Sequence, residues 1–545
     1  MRPGSVALVG GQVRTLDTAD RVAEALLIEH GRITAIGSSE DVRERAPRGV
    51  PVIDLEGRTA LPGLIDAHTH LELSALADHF WVPVRFLPVE RMLERIAAAV
   101  AQAAPGDWIV GQGTFDQPLP TRAQLDAVAP QNPVVVRESM HLQSANSLAL
   151  QAGGVDRRFT APVGIRVRRD PSGDPTGVIE EGFDLFPVPW PAREQLGRAL
   201  AATAADGWVR HGITTIHELP ASTTSMRAWQ DLDTADALPC RMVVNPILEP
   251  GHQAIVDAVD TFARLGLATG FGPDWLRLGA LKLFLDGVGD AALFHRQLRG
   301  PACGWGLQCF LYNELVDILA RCRDAGVQVW MHAIGDAAQS LALDAIEEVN
   351  LACGPSDHRT RIEHAGLQVD DWDTLARWRA AGAIPVPTAA FMHGEADGRT
   401  AALPDGSRVY PYKTMIAQGL KPPGNSDTAG TQPFATNPWH GIASMVLREN
   451  RNRAVLSPEE AVDVPTATRT YTEFGAHAGF DEARTGSLEV GKLGDVAVFA
   501  GDPFALDVRA LPDLEAELTV VSGRVVHGDP DQVARSQELA AEAGD

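Results

Sequence analysis

Short β-strand patterns occupy both ends of the chain, and this feature constrains the fold more than any other. Apolar or alternating stretches separated by glycine turns fill residues 1–60, and residues 485–545 contain similar patterns. Neither end is long enough to bury a core of its own. We therefore predict that residues 1–60 and 485–545 together form one small composite β-sandwich domain, into which the rest of the chain is inserted.

The middle of the chain alternates strand patterns with helix patterns. Strand patterns lie at residues 213–216, 241–244, 276–285, 327–331 and 383–386, and a helical period covers residues 314–325. Alternation of this kind predicts βα units, with a parallel sheet covered by helices. The number of units fits an α/β fold of the (β/α)8 TIM-type barrel over residues 61–484.

One interval in this alternation is too long for a single βα unit. The strand pattern that ends at His68 and the next barrel strand, at Ile213, are separated by a stretch with its own strand and helix patterns. Loops of that length are rare without structure of their own. We therefore predict an inserted subdomain at about residues 73–191, directly after the first barrel strand.

The end of that first strand carries two histidines. Residues 61–70 read Leu-Pro-Gly-Leu-Ile-Asp-Ala-His-Thr-His, which places His68 and His70 at positions i and i+2. In extended backbone, side chains at this spacing point to the same side. Two imidazoles can then bind one metal ion. The alternative is a pair of ordinary histidines that fall at this spacing by chance.

Four further candidates follow where barrel strands should end. Lys282 lies in an apolar strand pattern, His332 and His364 each end one, and Asp427 follows Gly-Asn-Ser. Each has a structural alternative: Lys282 paired with Asp286, histidines satisfied in a core or loop, and an aspartate in a turn or helix N-cap. The complete series on separate strand ends favours an active site, because barrel enzymes build their sites on that face.

With these motifs the chain resembles the amidohydrolase superfamily, and most closely the amidohydrolase family 3 branch of YtcJ-like proteins, which includes N-substituted formamide deformylases. The matching stretches are Pro62-Gly-Leu-Ile-Asp-Ala-His-Thr-His, Lys282-Leu-Phe-Leu-Asp-Gly, His332-Ala-Ile-Gly-Asp, Arg361-Ile-Glu-His, Gly424-Asn-Ser-Asp and Gly486-Ser-Leu-Glu-Val-Gly-Lys-Leu-Gly-Asp-Val. The resemblance extends over nearly the whole chain. It implies a (β/α)8 barrel with a small composite β-sandwich.

The resemblance also implies a role for each candidate. Metal ligands would be His68 and His70 for one divalent ion, His332 and His364 for a second, Lys282 as a CO2-derived carbamate that bridges both, and Asp427. Lys282 would then be an anionic ligand, which removes the problem of burying its positive charge. Asp427 would be the general base for a metal-activated hydroxide. We expect one or two ions per chain, with zinc as the first choice and iron, manganese or cobalt open.

Substrate contacts are predicted for three more residues. The family carries a similar histidine before an Asn-Ser pair, which implies that His141 lines the pocket, with a loop histidine as the alternative. His217 ends a strand pattern, and Trp108 lies in the insertion. Their alternatives are a structural histidine and a core tryptophan. Glu180 and Glu181 are expected to be solvated charges, with contact to a cationic substrate as the alternative.

The segment before Asp427 departs from a normal barrel strand. It reads Gly419-Leu-Lys-Pro-Pro-Gly, and prolines interrupt a central strand. We therefore expect this strand to be very short or displaced.

Composition excludes several functional classes. The 545 residues include 47 basic and 71 acidic side chains, a net charge of −24 that disfavours nucleic-acid binding. No segment approaches the roughly 20 apolar residues of a membrane span, and the N-terminus lacks a signal-peptide core, so we expect a cytoplasmic protein. The five cysteines form no C-x-x-C pair, which disfavours a zinc ribbon or a disulfide framework. The sequence leaves open whether the chain forms a homo-oligomer.

Together these observations predict a metal-dependent hydrolase of carbon–nitrogen bonds in small molecules. The expected substrate is an amide, an N-formyl amide or a cyclic amide, attacked by a metal-bound hydroxide. An ester, lactone or carbamate hydrolase on the same site is the alternative. A non-catalytic scaffold of this fold is disfavoured, because the whole set of candidate ligands is present.

Overall fold

The computed structural model describes residues 3–115, 117–248, 251–295, 305–366, 374–394 and 408–528. The strands in these ranges are β1 Val6–Val9, β2 Gln12–Arg14, β3 Val22–Ala23, β4 Ala25–Glu29, β5 Arg32–Gly37, β6 Val52–Asp54, β7 Thr59–Pro62, β8 Leu64–Thr69, β9 Val82–Pro83, β10 Ile109–Gln112, β11 Val134–Arg137, β12 Leu142–Ala145, β13 Arg166–Arg169, β14 Pro175–Glu180, β15 Ile213–Glu218, β16 Arg241–Val244, β17 Leu276–Leu278, β18 Leu281–Phe284, β19 Val329–His332, β20 Arg361–Glu363, β21 Ile384–Val386, β22 Val496–Phe499, β23 Leu518–Val521 and β24 Arg524–Gly528.

The α-helices of the same ranges are α1 Ser39–Arg45, α2 Leu71–His79, α3 Val89–Val100, α4 Arg122–Val128, α5 Ser147–Ala152, α6 Arg193–Gly207, α7 Thr223–Thr234, α8 His252–Leu265, α9 Tyr312–Asp324, α10 Asp336–Cys353, α11 Thr374–Ala381, α12 Tyr412–Ala417, α13 Pro438–Leu447, α14 Val464–Arg469 and α15 Gly475–Ala478. None of these described helices has both the length and the apolar character that a membrane crossing requires.

Two all-parallel sheets form the centre of the molecule. One has the strand order β17-β16-β15-β8 and the other β18-β19-β20-β21. A parallel bridge between Ile247 and Lys282 links them. The structure is therefore a mixed α/β fold with parallel sheets, as predicted. The described strand pairs form two separate sheets, so closure into a (β/α)8 barrel is not shown by the described residues.

The predicted strand at residues 276–285 is divided in two. The division falls at Gly279 and Ala280, where the Asn245 side chain accepts a 2.7 Å hydrogen bond from the backbone N–H of Ala280. A Cβ at Gly279 would collide with the same Asn245 oxygen. At this point the side chain of Asn245 accepts the hydrogen bond that the backbone of a neighbouring strand would otherwise accept.

The proline-rich segment before Asp427 forms no strand in the described structure, in line with the expectation of a short or displaced one. Residues 424–428 instead lie along β8. The backbone N–H of Asp427 donates to the carbonyl of His68 at 2.8 Å, and the N–H of His70 donates to that of Thr428 at 3.0 Å. Gly424 is required here, because a Cβ would meet the ring of Tyr471. Asp427 is thereby held beside the two histidines of β8.

Strands from the two ends of the chain share one sheet, with the order β24-β23-β22-β7-β2-β3. Its centre is the antiparallel pair β22 and β7, in which Val496 lies opposite Pro62. A second sheet, β5-β4-β1-β6, contributes to the same buried apolar cluster. That cluster includes Leu8, Leu26, Val498 and Leu518.

The stretch between β8 and β15 carries a mixed six-stranded sheet of its own, in the order β13-β14-β12-β11-β10-β9. Two apolar clusters cover its faces, one around Ile96 and Val134 and the other around Val135 and Ile179. This sheet packs beside the carboxyl ends of the parallel strands, where its loops enclose a cavity.

Candidate metal centre

The six side chains predicted as ligands lie together at the carboxyl ends of the parallel strands. They are His68 and His70 at the end of β8, Lys282 in β18, His332 at the end of β19, His364 directly after β20, and Asp427 in the segment 424–428. None of the six residues is more than 9% exposed to solvent. A buried cluster of imidazoles and carboxylate at this edge is the position expected for a barrel active site.

Asp427 lies between three of the histidines. Its Oδ1 is 3.3 Å from Nε2 of His68 and 3.6 Å from Nε2 of His70, and its Oδ2 is 3.4 Å from Nδ1 of His364. Potential ligand atoms of His68, His364 and Asp427 all lie within 4.8 Å of one another. This set of nitrogen and oxygen donors suits a divalent transition metal.

Several buried atoms of the cluster have no hydrogen-bond partner among the described residues. They are Nε2 of His68, Nδ1 of His70, Nε2 of His332, Nδ1 of His364 and Nζ of Lys282. Buried polar atoms without a partner are rare in folded proteins, because each has lost its water without compensation. Coordination of a cation would use the imidazole lone pairs, so the residues present fit a metal ion.

Lys282 does not form the ion pair with Asp286 that its structural alternative requires. The Asp286 carboxylate accepts backbone hydrogen bonds from Leu293 at 2.9 Å, Ile334 at 3.0 Å and Gly335 at 2.8 Å. Burial lowers the pKa of Lys282 to about 8. The neutral amine, which is the form that reacts with CO2, is therefore accessible near neutral pH.

A buried carboxylate orients His68. Nδ1 of His68 lies 2.5 Å from Oε2 of Glu363, and Arg361 binds the same carboxylate through two nitrogens at 2.7 and 2.9 Å. Burial alone would raise the pKa of Glu363, but Arg361 and His68 hold it at about 2. An ionised carboxylate can only accept, so Nδ1 carries the proton and Nε2 is left with a lone pair.

Sequence reasoning missed Glu363 and Arg361, although both belong to the motif that ends in His364. The available signal was a pair of charged residues, Arg361 and Glu363, at positions i and i+2 of a strand that lies between two apolar strands. Such residues share one face of the strand and must pair or bind when buried.

Backbone strain marks the same place. His364 has φ of 65° and Asp427 has φ of 43°. Side chains other than glycine rarely adopt this left-handed region, and residues held there cluster at functional sites.

His141 lies next to the cluster, as predicted for a pocket residue. Its ring centroid is 5.1 Å from that of His332, and its Nδ1 is 2.7 Å from Oε2 of Glu181. Burial lowers the pKa of His141, but the Glu181 carboxylate more than offsets this and raises the pKa above its ordinary value.

The expectation that Glu180 and Glu181 are solvated is wrong. Glu180 is 5% exposed and pairs with Arg166 at 2.9 Å and Arg168 at 2.5 Å. Glu181 is engaged by His141 and by the backbone N–H of Val288 at 3.0 Å. Adjacent acidic residues at a strand end are typical of a solvated edge, but here Glu180 pairs with arginines of the neighbouring strand β13 and Glu181 binds other segments.

His217 and Trp108 lie outside the cavity lining. The ring of His217 stacks on Trp330 at a centroid distance of 5.9 Å, within the parallel sheets. Trp108 packs in the apolar cluster of the insertion, 6.3 Å from the ring of Phe186. Sequence position alone does not reveal which face of a strand or loop a ring occupies.

A cavity of about 240 Å3 opens beside His141, Phe284 and Asp286. Its outer walls come from two segments of the insertion, residues 162–165 and 181–185, and its inner wall includes residues 247–248. Most of the lining side chains are apolar. The cavity therefore offers space for an organic substrate directly next to the candidate metal centre.

Known proteins resemble the chain over almost its whole length. The sequence model of the amidohydrolase family matches residues 51–527. An N-substituted formamide deformylase from Arthrobacter pascens is 28% identical over 537 residues, which cover 95% of this chain and 97% of that protein. The YtcJ protein of Bacillus subtilis (strain 168) is 29% identical over 558 residues, with coverage of 95% and 98%.

A similar fold has been solved by crystallography. An uncharacterized metal-dependent hydrolase from Pyrococcus horikoshii OT3 matches with a TM-score of 0.72 at 22% sequence identity. The match covers 93% of this chain and 99% of that structure. At this level of identity the likeness concerns the fold.

Proposed function

The chain belongs to the amidohydrolase family and is a metal-dependent hydrolase of amide-type carbon–nitrogen bonds, and from this premise we propose that its substrate is an N-substituted amide, an N-formyl amide or a cyclic amide. The observation that carries the proposal is the cluster of buried imidazole and ammonium nitrogens without partners around Asp427. The cavity beside it supplies the room for such a substrate.

We assign the ligands residue by residue. His68 and His70 would hold one divalent ion, His332 and His364 a second, and Asp427 would contact the site through its carboxylate. Lys282, carboxylated on Nζ, would serve both positions as an anion. Zinc is the first choice, with iron, manganese or cobalt also compatible with nitrogen and oxygen donors. When bound, the metal supplies Lewis-acid polarisation of the carbonyl and a lowered pKa for water.

Asp427 is the proposed general base. Burial raises the pKa of this carboxyl, but the adjacent His68 and His70 hold it below its ordinary value, so the group is ionised and able to accept a proton. A carboxylate oxygen would take the proton from the attacking water and pass it to the leaving nitrogen. The amine then departs as a neutral molecule.

His141 is the proposed substrate contact. Because Glu181 engages Nδ1, the other ring nitrogen, Nε2, is the one available to a substrate. A hydrogen bond from this nitrogen to the carbonyl oxygen would orient the amide for attack. Glu181 fixes the ring in that orientation.

Elemental analysis tests the metal proposal. Protein purified without chelator should contain one to two divalent transition-metal ions per chain, and His364→Ala should contain fewer. Chelation should abolish hydrolysis and added zinc should restore it. Full activity in protein free of bound transition metal would refute the assignment. A screen over N-formyl amines, N-acyl amines, cyclic imides and lactones then separates amide hydrolysis from the ester alternative.

A finer architecture also follows as a proposal. We infer that β17 and β18 act as one strand and that residues 424–428 complete a barrel of eight strands, with residues 1–60 and 485–545 as the composite domain. A chain that stops at about residue 485 lacks β22 and exposes the edge of β7. It should be insoluble, whereas a control that stops after Gly528 should be soluble. Soluble, active protein from the shorter chain would contradict the composite domain.

A further inference from the structure

We propose that the cavity beside His141 selects substrates whose nitrogen substituent is an uncharged apolar group about the size of a phenyl ring with a short alkyl arm. The inference rests on the proposed function, because it concerns the same site. The candidate metal centre alone does not define which substituent the amide nitrogen carries, and the cavity adds this substrate class.

The size of the cavity sets the upper limit of the substituent. Its volume is about 240 Å3. An engineered protein cavity of roughly 150 Å3 holds benzene. The additional space accommodates a short linker between a ring and the amide nitrogen, and not a second ring.

The walls are apolar and aromatic. Phe183 and Phe284 contribute rings, and Ile165, Leu185 and Leu248 contribute aliphatic side chains. Rings pack well against such surfaces in edge-to-face or offset arrangements. An apolar substituent buried here gains free energy in proportion to the area it removes from water.

One of these walls is held rigidly. The guanidinium carbon of Arg137 lies 3.7 Å from the ring centroid of Phe183 and 4.8 Å from that of Trp81. Arg137 does not line the cavity itself, so its charge is placed behind the Phe183 ring. Phe183 therefore presents a fixed surface, which makes the cavity selective for shape.

The charges that line the cavity disfavour an anionic substituent. Among the described lining residues the only basic side chain is His141, which is already bound to Glu181. The other ionisable oxygens belong to Asp184 and Asp286. A carboxylate on the substrate would lose its water and face carboxylates, which is costly in a buried site.

A cationic substituent is disfavoured for a different reason. The Glu181 oxygens already accept from His141 and Val288, and the Asp286 oxygens accept from three backbone N–H groups. Asp184 interacts electrostatically with the buried Arg137. An ammonium group would lose its hydration on entering the cavity and would find these oxygens already partly occupied, so it gains less from burial here than an apolar group does.

Calorimetric titration with ketones that cannot be hydrolysed tests the inference on the whole, metal-loaded protein. The probes are phenylethyl methyl ketone, its para-carboxylate and its para-aminomethyl derivative, with acetone as the truncated control. The neutral aryl ketone should bind at least about 10-fold more tightly than acetone and about 100-fold more tightly than the carboxylate. The ammonium derivative should also bind more weakly than the neutral probe. Equal or tighter binding of either charged probe overturns the proposal.

A positive charge introduced at Ile165, in the wall of the cavity, provides the converse test. Ile165→Lys should improve binding of the para-carboxylate at least about 10-fold and weaken binding of the neutral probe. The control Leu265→Lys changes an exposed leucine of α8 and should leave all four affinities unchanged. No gain for the carboxylate in Ile165→Lys, with the fold intact by circular dichroism, would place the binding site elsewhere and reject the proposal.

The two proposals fail in different ways. If the ketones bind in the expected order but no amide is hydrolysed, the cavity assignment stands and the proposed reaction is wrong. If amides are hydrolysed but charged and neutral ring substituents perform alike, the reaction stands and the cavity assignment is wrong.

Discussion

Two groups of buried polar side chains lie at the carboxyl ends of the same parallel strands, and they differ in how their atoms are used. The ligand cluster, comprising His68, His70, Lys282, His332, His364 and Asp427, contains five atoms without hydrogen-bond partners in the described structure. The capping carboxylates, comprising Glu72, Glu218 and Asp286, accept hydrogen bonds on both oxygens. The donors are backbone N–H groups and, for one oxygen of Glu72, the hydroxyl of Ser222.

Helix starts account for the capping carboxylates. Glu218, at the end of β15, accepts from the backbone N–H groups of Leu71 at 2.6 Å and Glu72 at 3.0 Å, in the first turn of α2. Glu72 in turn accepts from Ala221 at 2.8 Å and Ser222 at 3.1 Å, just before α7. The first N–H groups of a helix lack intrahelical partners, and a carboxylate satisfies them.

The comparison teaches that burial of a charged residue does not by itself indicate function. Glu218 is as buried as Lys282, with 0% of each exposed. What separates them is that Nζ of Lys282 has no hydrogen-bond partner among the described residues, which favours a ligand bound at this position. Changes in the two groups should therefore have different consequences, the first on activity and metal, the second on stability.

The largest effect is expected for Lys282. Lys282→Ala should lower the rate of hydrolysis by roughly three orders of magnitude, because the anionic carbamate is lost from a group that acts as a unit. Lys282→Arg should fail as badly, since a guanidinium forms no carbamate and repels the metals. Short carboxylic acids should partly restore Lys282→Ala. Steady-state kinetics measures all three.

A matched control is Lys421→Ala, which removes a half-exposed lysine whose Nζ lies 3.1 Å from Glu473. Its activity should stay near that of the unmodified protein. High activity in Lys282→Arg would show that Lys282 acts as a cation and would place it with the structural residues.

A smaller effect is expected for Glu363, which contacts the ligand cluster. Both of its carboxylate oxygens have hydrogen-bond partners, and one of these partners is the candidate metal ligand His68. Glu363→Gln should weaken metal affinity about 10–100-fold, because the partner of His68 loses its charge. Competition with a chromophoric chelator measures the change. Glu482→Gln, at a carboxylate that pairs with Arg359, is the control and should bind metal normally. Unchanged affinity in Glu363→Gln would mean that His68 needs no orienting group.

The capping carboxylates should respond to pH through stability. Burial raises the pKa of Glu218 to about 8 from an ordinary value near 4.5. The folded state then binds more protons than the unfolded state between these values, so the stability contributed by this group is complete below about pH 4.5 and is lost as the pH rises through 8. Unfolding by denaturant at pH 5 and pH 9 should show a loss of about 4 kcal/mol that Glu218→Gln does not share. An equal loss of stability in the unmodified protein and in Glu218→Gln would contradict the assignment of this pH dependence to Glu218.

The smallest effect is expected at the boundary of the cavity. Glu181→Gln removes a charge-assisted hydrogen bond to His141 and keeps the shape of the side chain. The KM should rise by roughly 3–10-fold with a lesser change in kcat, because the contact orients substrate before reaction. Glu489→Gln, at a distant carboxylate that pairs with Lys492, should change neither constant. A drop in kcat with KM constant would assign His141 to the chemical step instead.

Much of the fold could be predicted from the sequence because its strands are short and their apolar patterns are distinct. Arg241–Val244 has the boundaries predicted for it, and β15 begins at Ile213 as predicted. The ligand candidates and their order along the chain could also be predicted from the sequence, because each follows a strand pattern and parallel strands bring such positions together.

The remainder depended on contacts between distant segments. The division of the strand at Gly279 requires Asn245, and the orientation of His68 requires Glu363. The cavity forms where loops of the insertion approach the parallel strands, which no local pattern encodes. For the same reason the positions of Trp108 and His217 could not be read from the sequence.

The pairing of β7 with β22 sets the order in which the chain matures on the ribosome. β7 is made more than 400 residues before its partner in the sheet, Val496–Phe499. At about 5–20 residues per second, this interval lasts roughly 20 seconds or more. Throughout that time the edge of β7 that later pairs with β22 is unpaired and apolar, the kind of surface that promotes aggregation. The folding of β7 is therefore completed only after β22 has been made.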